Sequence, residues 1–182
     1  MRGIKALVRR IRGGLKLVIL KICHPRAVKT SFIGSFAGKV IFTVDNGGRM
    51  TIGKNLQVRR NIELSVTNGG CLKIGRNVFM NSGVIIAAHD KIAVGNSVSF
   101  GPGVKVFDHD HDFRAEGGKK SGKYKTRPIV IEDDVWLGAD VIILKGVKIG
   151  KGAVVGAGTV VTHDIPEKTV LYQKPEQVLG QF

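Results

Sequence analysis

From Ile131 the chain divides into six-residue units, IEDDVW, LGADVI, ILKGVK, IGKGAV, VGAGTV and VTHDIP. The first position (Ile131, Leu137, Ile143, Ile149, Val155, Val161) is always aliphatic, and the fifth (Val135, Val141, Val147, Ala153, Thr159, Ile165) is nearly always apolar. A strict period of six rules out an α-helix, because six residues carry a helix well past its turn of about 3.6 and off its own face. A coil of short parallel strands does fit: each unit is a strand and a corner, about three units make a turn, and turns stack about 4.8 Å apart. The first-position aliphatics then form ladders inside. The Gly, small or acidic residues common at the second position are expected to make the tight corners.

The register returns upstream in three shifted phases. Ile52, Val58 and Leu64 share one, with Leu56 and Ile62 at the fifth position; Ile74, Met80 and Ile86 share a second; Val94, Phe100 and Val106 share a third. The shifts fall at polar turn material such as TNGG (67–70) and AAHD (87–90), so the coil is expected from about residue 40 to about 166 with loops at its corners. A length of 182 residues suits one domain. The division expected is an arm over 1–30, a coil domain over 31–170 and a tail over 171–182. Cys23 and Cys71 lie far apart and in no ligand spacing, which gives no sign of a disulfide framework or a zinc finger and fits a reducing, cytoplasmic compartment.

The net charge of +15 points to anionic partners: nucleic acid, acidic headgroups or a phosphate-bearing cofactor. Aromatic residues are too scarce to build a base-stacking surface, so nucleic acid is not expected. The charge is concentrated at one end. No acidic residue precedes Asp45, whereas Arg2, Lys5, Arg9, Arg10, Arg12, Lys16, Lys21, Arg26, Lys29 and Lys39 all do. In the same segment Ile4, Leu7, Val8, Ile11, Leu15, Val18, Ile19 and Ile22 recur at steps of three and four, the period of one helix face. This is a basic amphipathic helix, with Gly13-Gly14 as the point where a kink or break is expected. It lacks the run of about 18 apolar residues needed to span a bilayer. Lys16 and Lys21 interrupt any signal-peptide core, and no small-residue cleavage site follows. Two roles stay open for the aliphatic stripe: packing on the rest of the protein or a sister chain, or peripheral contact of residues 1–30 with an anionic membrane at its cytoplasmic face.

One octapeptide, VFDHDHDF (106–113), packs two histidines and three aspartates together. It follows the coil segment VGNSVSFGPGVKVF and opens a polar insertion, 107–128, before the repeat resumes at Ile129. Insertions of this length in a compact coil are lids or binding segments. An imidazole with pKa near 6.5 suits removal of a hydroxyl proton at neutral pH, and a neighbouring carboxylate (Asp108, Asp110 or Asp112) would fix its tautomer. His109 and His111 are rivals for that base. With His89, one turn earlier, they would also make three imidazoles of the kind that suit zinc with one open position.

The run IEDDVWLGADVIILKGVKIGKGAVVGAGTVVTHDIP, together with the histidine-bearing insertion and the segment VWLGA, resembles the hexapeptide-repeat acyltransferases over roughly residues 50–170. It is most similar to their branch of maltose and galactoside O-acetyltransferases and surface-polysaccharide sugar O-acetyltransferases. The resemblance implies an all-β fold, a left-handed parallel β-helix with the N-terminal helix and a long catalytic loop added, a homotrimer, and acetyl-CoA as co-substrate with no metal. In that family the catalytic histidine lies seven residues after the valine of the PGV turn, which from Val104 is His111; His109 stays as the alternative, with Asp108 as the carboxylate grouped with them. Asn81, in FMNSG, falls where the family places an acceptor-contacting asparagine, and Asp110 is counted with the acceptor contacts. Trp136 falls beside the acceptor or the pantetheine arm. Gly138 and Ala139 fall on the turn whose backbone N–H holds the thioester oxygen, and Gly156, Ala157 and Gly158 on the small-residue turn along which pantetheine runs.

Two departures stand out. Relatives carry a lysine for a coenzyme A phosphate before DIP, where this chain has His163; and their Gly-x-Pro-Ala-Lys/Arg close is replaced by LYQKPEQVLGQF, in which Lys174 could restore the charge. The function implied is transfer of acetyl from acetyl-CoA to a hydroxyl of a sugar or lipid-linked saccharide during surface-polysaccharide synthesis. An N-acetyltransferase acting on an amino sugar nucleotide and a non-catalytic β-helix subunit are the alternatives, and carbonic anhydrase-like coils supply the metal one.

Overall fold

Alternation of buried aliphatic and outward polar residues puts short strands on three sides of a coil, and a computed structural model describes this for residues 2–174. The first sheet has six parallel strands and starts with β1 (Val28–Thr30), the second has seven and starts with β2 (Gly34–Phe36), and the third has six and starts with β3 (Val40–Val44). Successive turns pair rung on rung. Phe36, Val58, Met80, Phe100, Leu137, Val155 and Leu171 stack through the second sheet, and Phe42, Leu64, Ile86, Val106, Ile143 and Val161 through the third. The fold is a parallel β-helix, as the repeat implies. Every first- and fifth-position residue of the sequence phases is buried in its interior. Each fully buried Val, Leu or Ile contributes about 1.5–3 kcal/mol, so the ladders are the main source of stability.

The coil is longer than the sequence phases suggest: strands continue it back to Val28 and forward to Leu171, beyond the expected limits near 40 and 166. The shifted phases come from unequal turns. In the first sheet the rungs step from Thr30 to Ile52 and Ile74, then to Val94, across the insertion to Ile131, and finally by eighteen residues to Ile149. Only that last step has the length of three six-residue units. Earlier turns hold extra residues at their corners, as at Thr67–Gly70.

The corners also differ from expectation. The left-handed residue of each corner sits at the fourth position of the unit, at Asp134, Asp140, Gly146, Gly152 and Gly158, where φ is positive, and Asn55, Asn77 and Ser97 do the same upstream. Asn and Asp tolerate that conformation through short side chains that bond locally. Second-position glycines have another duty. A Cβ on Gly138 would lie 2.7 Å from the Ala157 nitrogen of the next turn, so these glycines let consecutive turns approach.

A 22-residue helix, α1 (Arg2–Cys23), packs on β1 and β2 at the start of the coil. It runs unbroken through Gly13-Gly14. Gly13 is a contact and not a break: a Cβ there would lie 2.5 Å from the Gly34 carbonyl oxygen, so its absence lets the helix lie directly on the β2 backbone. Leu17 and Leu20 are buried beside it. Lys21 donates through Nζ to the Val28 carbonyl at 2.8 Å and pins the helix end. Of the aliphatic stripe only Val18 is half-buried. Ile4, Leu7, Val8, Ile11, Leu15, Ile19 and Ile22 are all exposed, which corrects the reading in which the stripe packs on this chain's own coil.

The insertion is not an irregular loop. His109–His111 and Tyr124–Thr126 form an antiparallel hairpin outside the coil, and a short 3-10 turn, Gly118–Ser121, lies at its tip. Among the described residues no helix is long and apolar enough to cross a membrane.

Candidate active site

The hairpin leaves the coil where Lys105–Phe107 ends, and Asp108 is the residue that fixes its root. Its side chain is 0% exposed. The backbone N–H groups of His89 and Asp90 donate to its two carboxylate oxygens at 2.9 Å each, and His109 donates through Nδ1 at 3.0 Å. Burial alone would push the Asp108 carboxyl up; the bonds from the His109 ring and from the two backbone N–H groups outweigh it and hold the group below the usual carboxylate range. The bonded anion thus ties the hairpin to the preceding turn.

Around it the rings form one block. His109 lies flat on His89, with centroids 3.5 Å apart and planes within 2° of parallel, and Tyr124 presents its edge to His89 at 4.4 Å and to His109 at 5.4 Å. Asn68 donates its amide to Nδ1 of His89 at 3.2 Å. Burial, and then the nearby His109, lower the His89 pKa, so that ring is neutral at pH 7.

His111 is two residues along the strand, opposite Tyr124, and exposed, its ring centroid 4.8 Å from that of Tyr124. The three carboxylates considered for it go elsewhere: Asp108 to His109, Asp112 to Lys125 at 3.2 Å, and Asp110 to Lys145 on the following turn. His89 and His109 stack face to face, and their Nδ1 atoms are taken by Asn68 and Asp108 respectively. Among the described residues no three His, Cys, Asp or Glu side chains gather in a metal-binding group.

The second strip of candidates lies on the turns above the hairpin root. Trp136 points outward, 57% exposed, paired between Ser99 and Val154. The N–H of Gly138 is engaged with the Val155 carbonyl at 2.7 Å; among the described residues no carbonyl takes the Ala139 N–H, which leaves Ala139 as the donor of that turn able to meet a developing oxyanion. Ala157 and Gly158 are exposed at the corresponding corner one turn on. Asn81 accepts the Ser82 N–H at 2.9 Å through its own side chain, the action of a corner residue. His163 is exposed, accepts or donates to Thr162 Oγ1 at 2.8 Å, and shares a surface groove with Asp164, Pro166 and Gln173; Lys174 follows, exposed. Residues 175–182 of the altered C-terminal segment lie outside the described residues.

Sequence reasoning missed His89 as a packing partner and Tyr124 and Lys145 altogether. AAHD read as corner material, and Tyr124 stood in a lysine-rich stretch with no pattern of its own. A two-stranded reading of the insertion would have set Tyr124 against His111.

Comparison with known proteins bears on this geometry. Residues 128–163 match the family model described as the hexapeptide repeat of succinyl-transferase. The galactoside O-acetyltransferase of Lactococcus lactis is 40% identical over 98 residues, 54% of this chain and 47% of that protein. A hexapeptide-repeat acetyltransferase from Vibrio cholerae, also solved with acetyl coenzyme A, is 34% identical with a TM-score of 0.53 over 60% of this chain and 61% of the first structure. These matches support a hexapeptide-repeat acyltransferase family for the coil. A 2,3,4,5-tetrahydropyridine-2,6-dicarboxylate N-acetyltransferase of Staphylococcus aureus matches this acyltransferase repeat over a shorter stretch, at 52% identity across 54 residues, 30% of this chain and 23% of that protein. The chain thus spans less than half the length of these two curated relatives, and O- and N-acetyltransferase names occur side by side among them.

Proposed function

We propose that this protein is an acetyl-CoA-dependent acetyltransferase acting on a hydroxyl of a sugar or lipid-linked saccharide in surface-polysaccharide synthesis, with His111 as general base. The observation that carries the reading is the braced hairpin, which holds an exposed imidazole just outside a hexapeptide coil. His111 takes the acceptor hydroxyl proton as the oxygen attacks the thioester carbonyl; the Ala139 N–H meets the charge on the carbonyl oxygen; the C–S bond breaks, and the thiolate of coenzyme A leaves with a proton. Trp136, outward and one turn from the hairpin root, offers its face to acceptor or pantetheine. Likeness to galactoside O-acetyltransferase supports a sugar hydroxyl as acceptor. The groove at His163 and the corner at Ala157 would take the rest of coenzyme A, with Lys174 supplying charge for a phosphate.

A second reading of the base is favoured by one bond. Asp108 orients His109 and not His111, and an imidazole fixed by a buried carboxylate is the usual arrangement of a general base. In the first reading that bond is a brace. Incubating the protein with acetyl-CoA and nucleotide-linked or lipid-linked sugars, while following thiol release, tests the activity. Comparing His111→Ala with His109→Ala separates the two bases: loss of kcat in the first with folding intact supports His111, and the reverse supports the His109–Asp108 pair. Thiol release only with amino sugars would move the acceptor to a nitrogen.

A further inference from the structure

We propose that α1 is a docking helix that lays its exposed aliphatic row on an anionic lipid surface. The inference does not rest on acetyl transfer. Gly13, Leu17 and Leu20 form the row that meets the coil, and Ile4, Leu7, Val8, Ile11, Leu15 and Ile22 form a row that stays exposed among the described residues. At about 100° per residue the two rows lie on nearly opposite sides of the cylinder. The helix is therefore held by one side and offers the other, facing away from the protein, as an unbroken aliphatic strip. Such a strip is far more than the scattered exposed residues of an ordinary surface.

Charge decides what covers it. On the same helical count Lys5, Arg12 and Lys16 border the strip on one flank and Arg10 on the other, and Phe32 and Ile33, both exposed, share a groove with Arg10. A second copy of the helix laid on the strip would bring like-charged flanks together, with no acidic residue before Asp45 in either chain to offset them. An anionic bilayer supplies the complement: phosphates for the flanks, reached by side chains that extend outward while their stems stay apolar, and an acyl boundary for the strip.

The intact chain is mixed with vesicles of phosphatidylglycerol, and in parallel with vesicles of phosphatidylcholine, and co-sedimentation is measured at low and high salt. The expected result is binding to the anionic vesicles that is at least about tenfold stronger than to the neutral ones and weakens as salt shortens the electrostatic range. Ile11→Ser combined with Leu15→Ser should weaken it by about tenfold or more through lost apolar burial. Lys5→Gln, Arg10→Gln and Arg12→Gln together should reduce its salt dependence. All five positions are exposed, and each variant is checked for an unchanged melting curve; if either set fails to fold, the other still decides. Equal binding to both lipids, or none to phosphatidylglycerol at low salt, overturns the proposal. So does a fall in the molecular mass of the lipid-free protein on Ile11→Ser/Leu15→Ser, which would assign the strip to another copy of the chain.

Discussion

Two imidazoles two residues apart have opposite surroundings, and their variants should separate accordingly. His111 is exposed and free of carboxylates, so His111→Ala is expected to lower kcat by about a hundredfold or more, with acetyl-CoA binding and the melting temperature little changed. His109→Ala removes one ring of a stacked block and one bond to buried Asp108, and is expected to cost about 1–3 kcal/mol in stability, read by denaturant unfolding. Asp108→Asn turns an amide donor toward a backbone N–H and should cost a similar amount. The same block gives a pH dependence. The folded His89 pKa lies below its unfolded value, so the unfolded chain binds that proton more readily; the stability contribution is complete above about pH 6.5 and is lost as the pH falls through the folded value. Asp108, also lowered, adds a second loss below about pH 4, as the pH falls toward its own folded value. The hydrogen-exchange protection of residues 108–126, measured against the intrinsic rate at each pH, should therefore fall between pH 7 and pH 5 before that of the coil does, and uniform protection down to pH 5 would contradict this. The octapeptide was legible as a site because its residue types are so concentrated. Which aspartate meets which partner was not, because that depends on a hairpin register set by residues thirteen positions away, His111 facing Tyr124.

At the scale of the strand and corner, the six-residue register was legible almost completely. First- and fifth-position side chains have no other place to go than the interior, so sequence alone names the core. The corner chemistry was misassigned by two positions because glycine serves two purposes here, positive φ at the fourth position and close approach at the second, and composition cannot tell them apart. One interior position breaks the apolar rule. Thr159 is buried and its hydroxyl has no partner among the described residues. Thr159→Val, of equal shape, should stabilise the protein by about 1 kcal/mol, whereas Phe100→Ala in the rung stack should cost about 3–5 kcal/mol; chemical denaturation measures both. The helix followed the same logic in reverse. Its period was plain, but Gly13-Gly14 read as a weakness when Gly13 is the contact surface, a fact that resides in the Gly34 backbone and not in the helix sequence.

For the whole molecule, a narrow prism offers only shallow surfaces, and Trp136 faces outward beside Ala139 with no opposing wall among the described residues. If a neighbouring coil supplies that wall, as in the trimer that the resemblance implies, the site is composite. Mixing His111→Ala chains with Trp136→Ala chains under exchange should then restore part of the activity that each lacks alone; no recovery with proven exchange would place both residues in one chain's site. The position of α1 has a consequence of another kind. Each turn of a β-helix is a template for the next, and a bare first turn offers its outer strand edges to the last turn of another copy, a head-to-tail contact that repeats without closing. By lying across β2, α1 acts as a chain stopper for that polymer. A protein lacking residues 1–24 should grow into fibres that bind thioflavin and scatter light as its concentration rises, while the full chain stays finite in length.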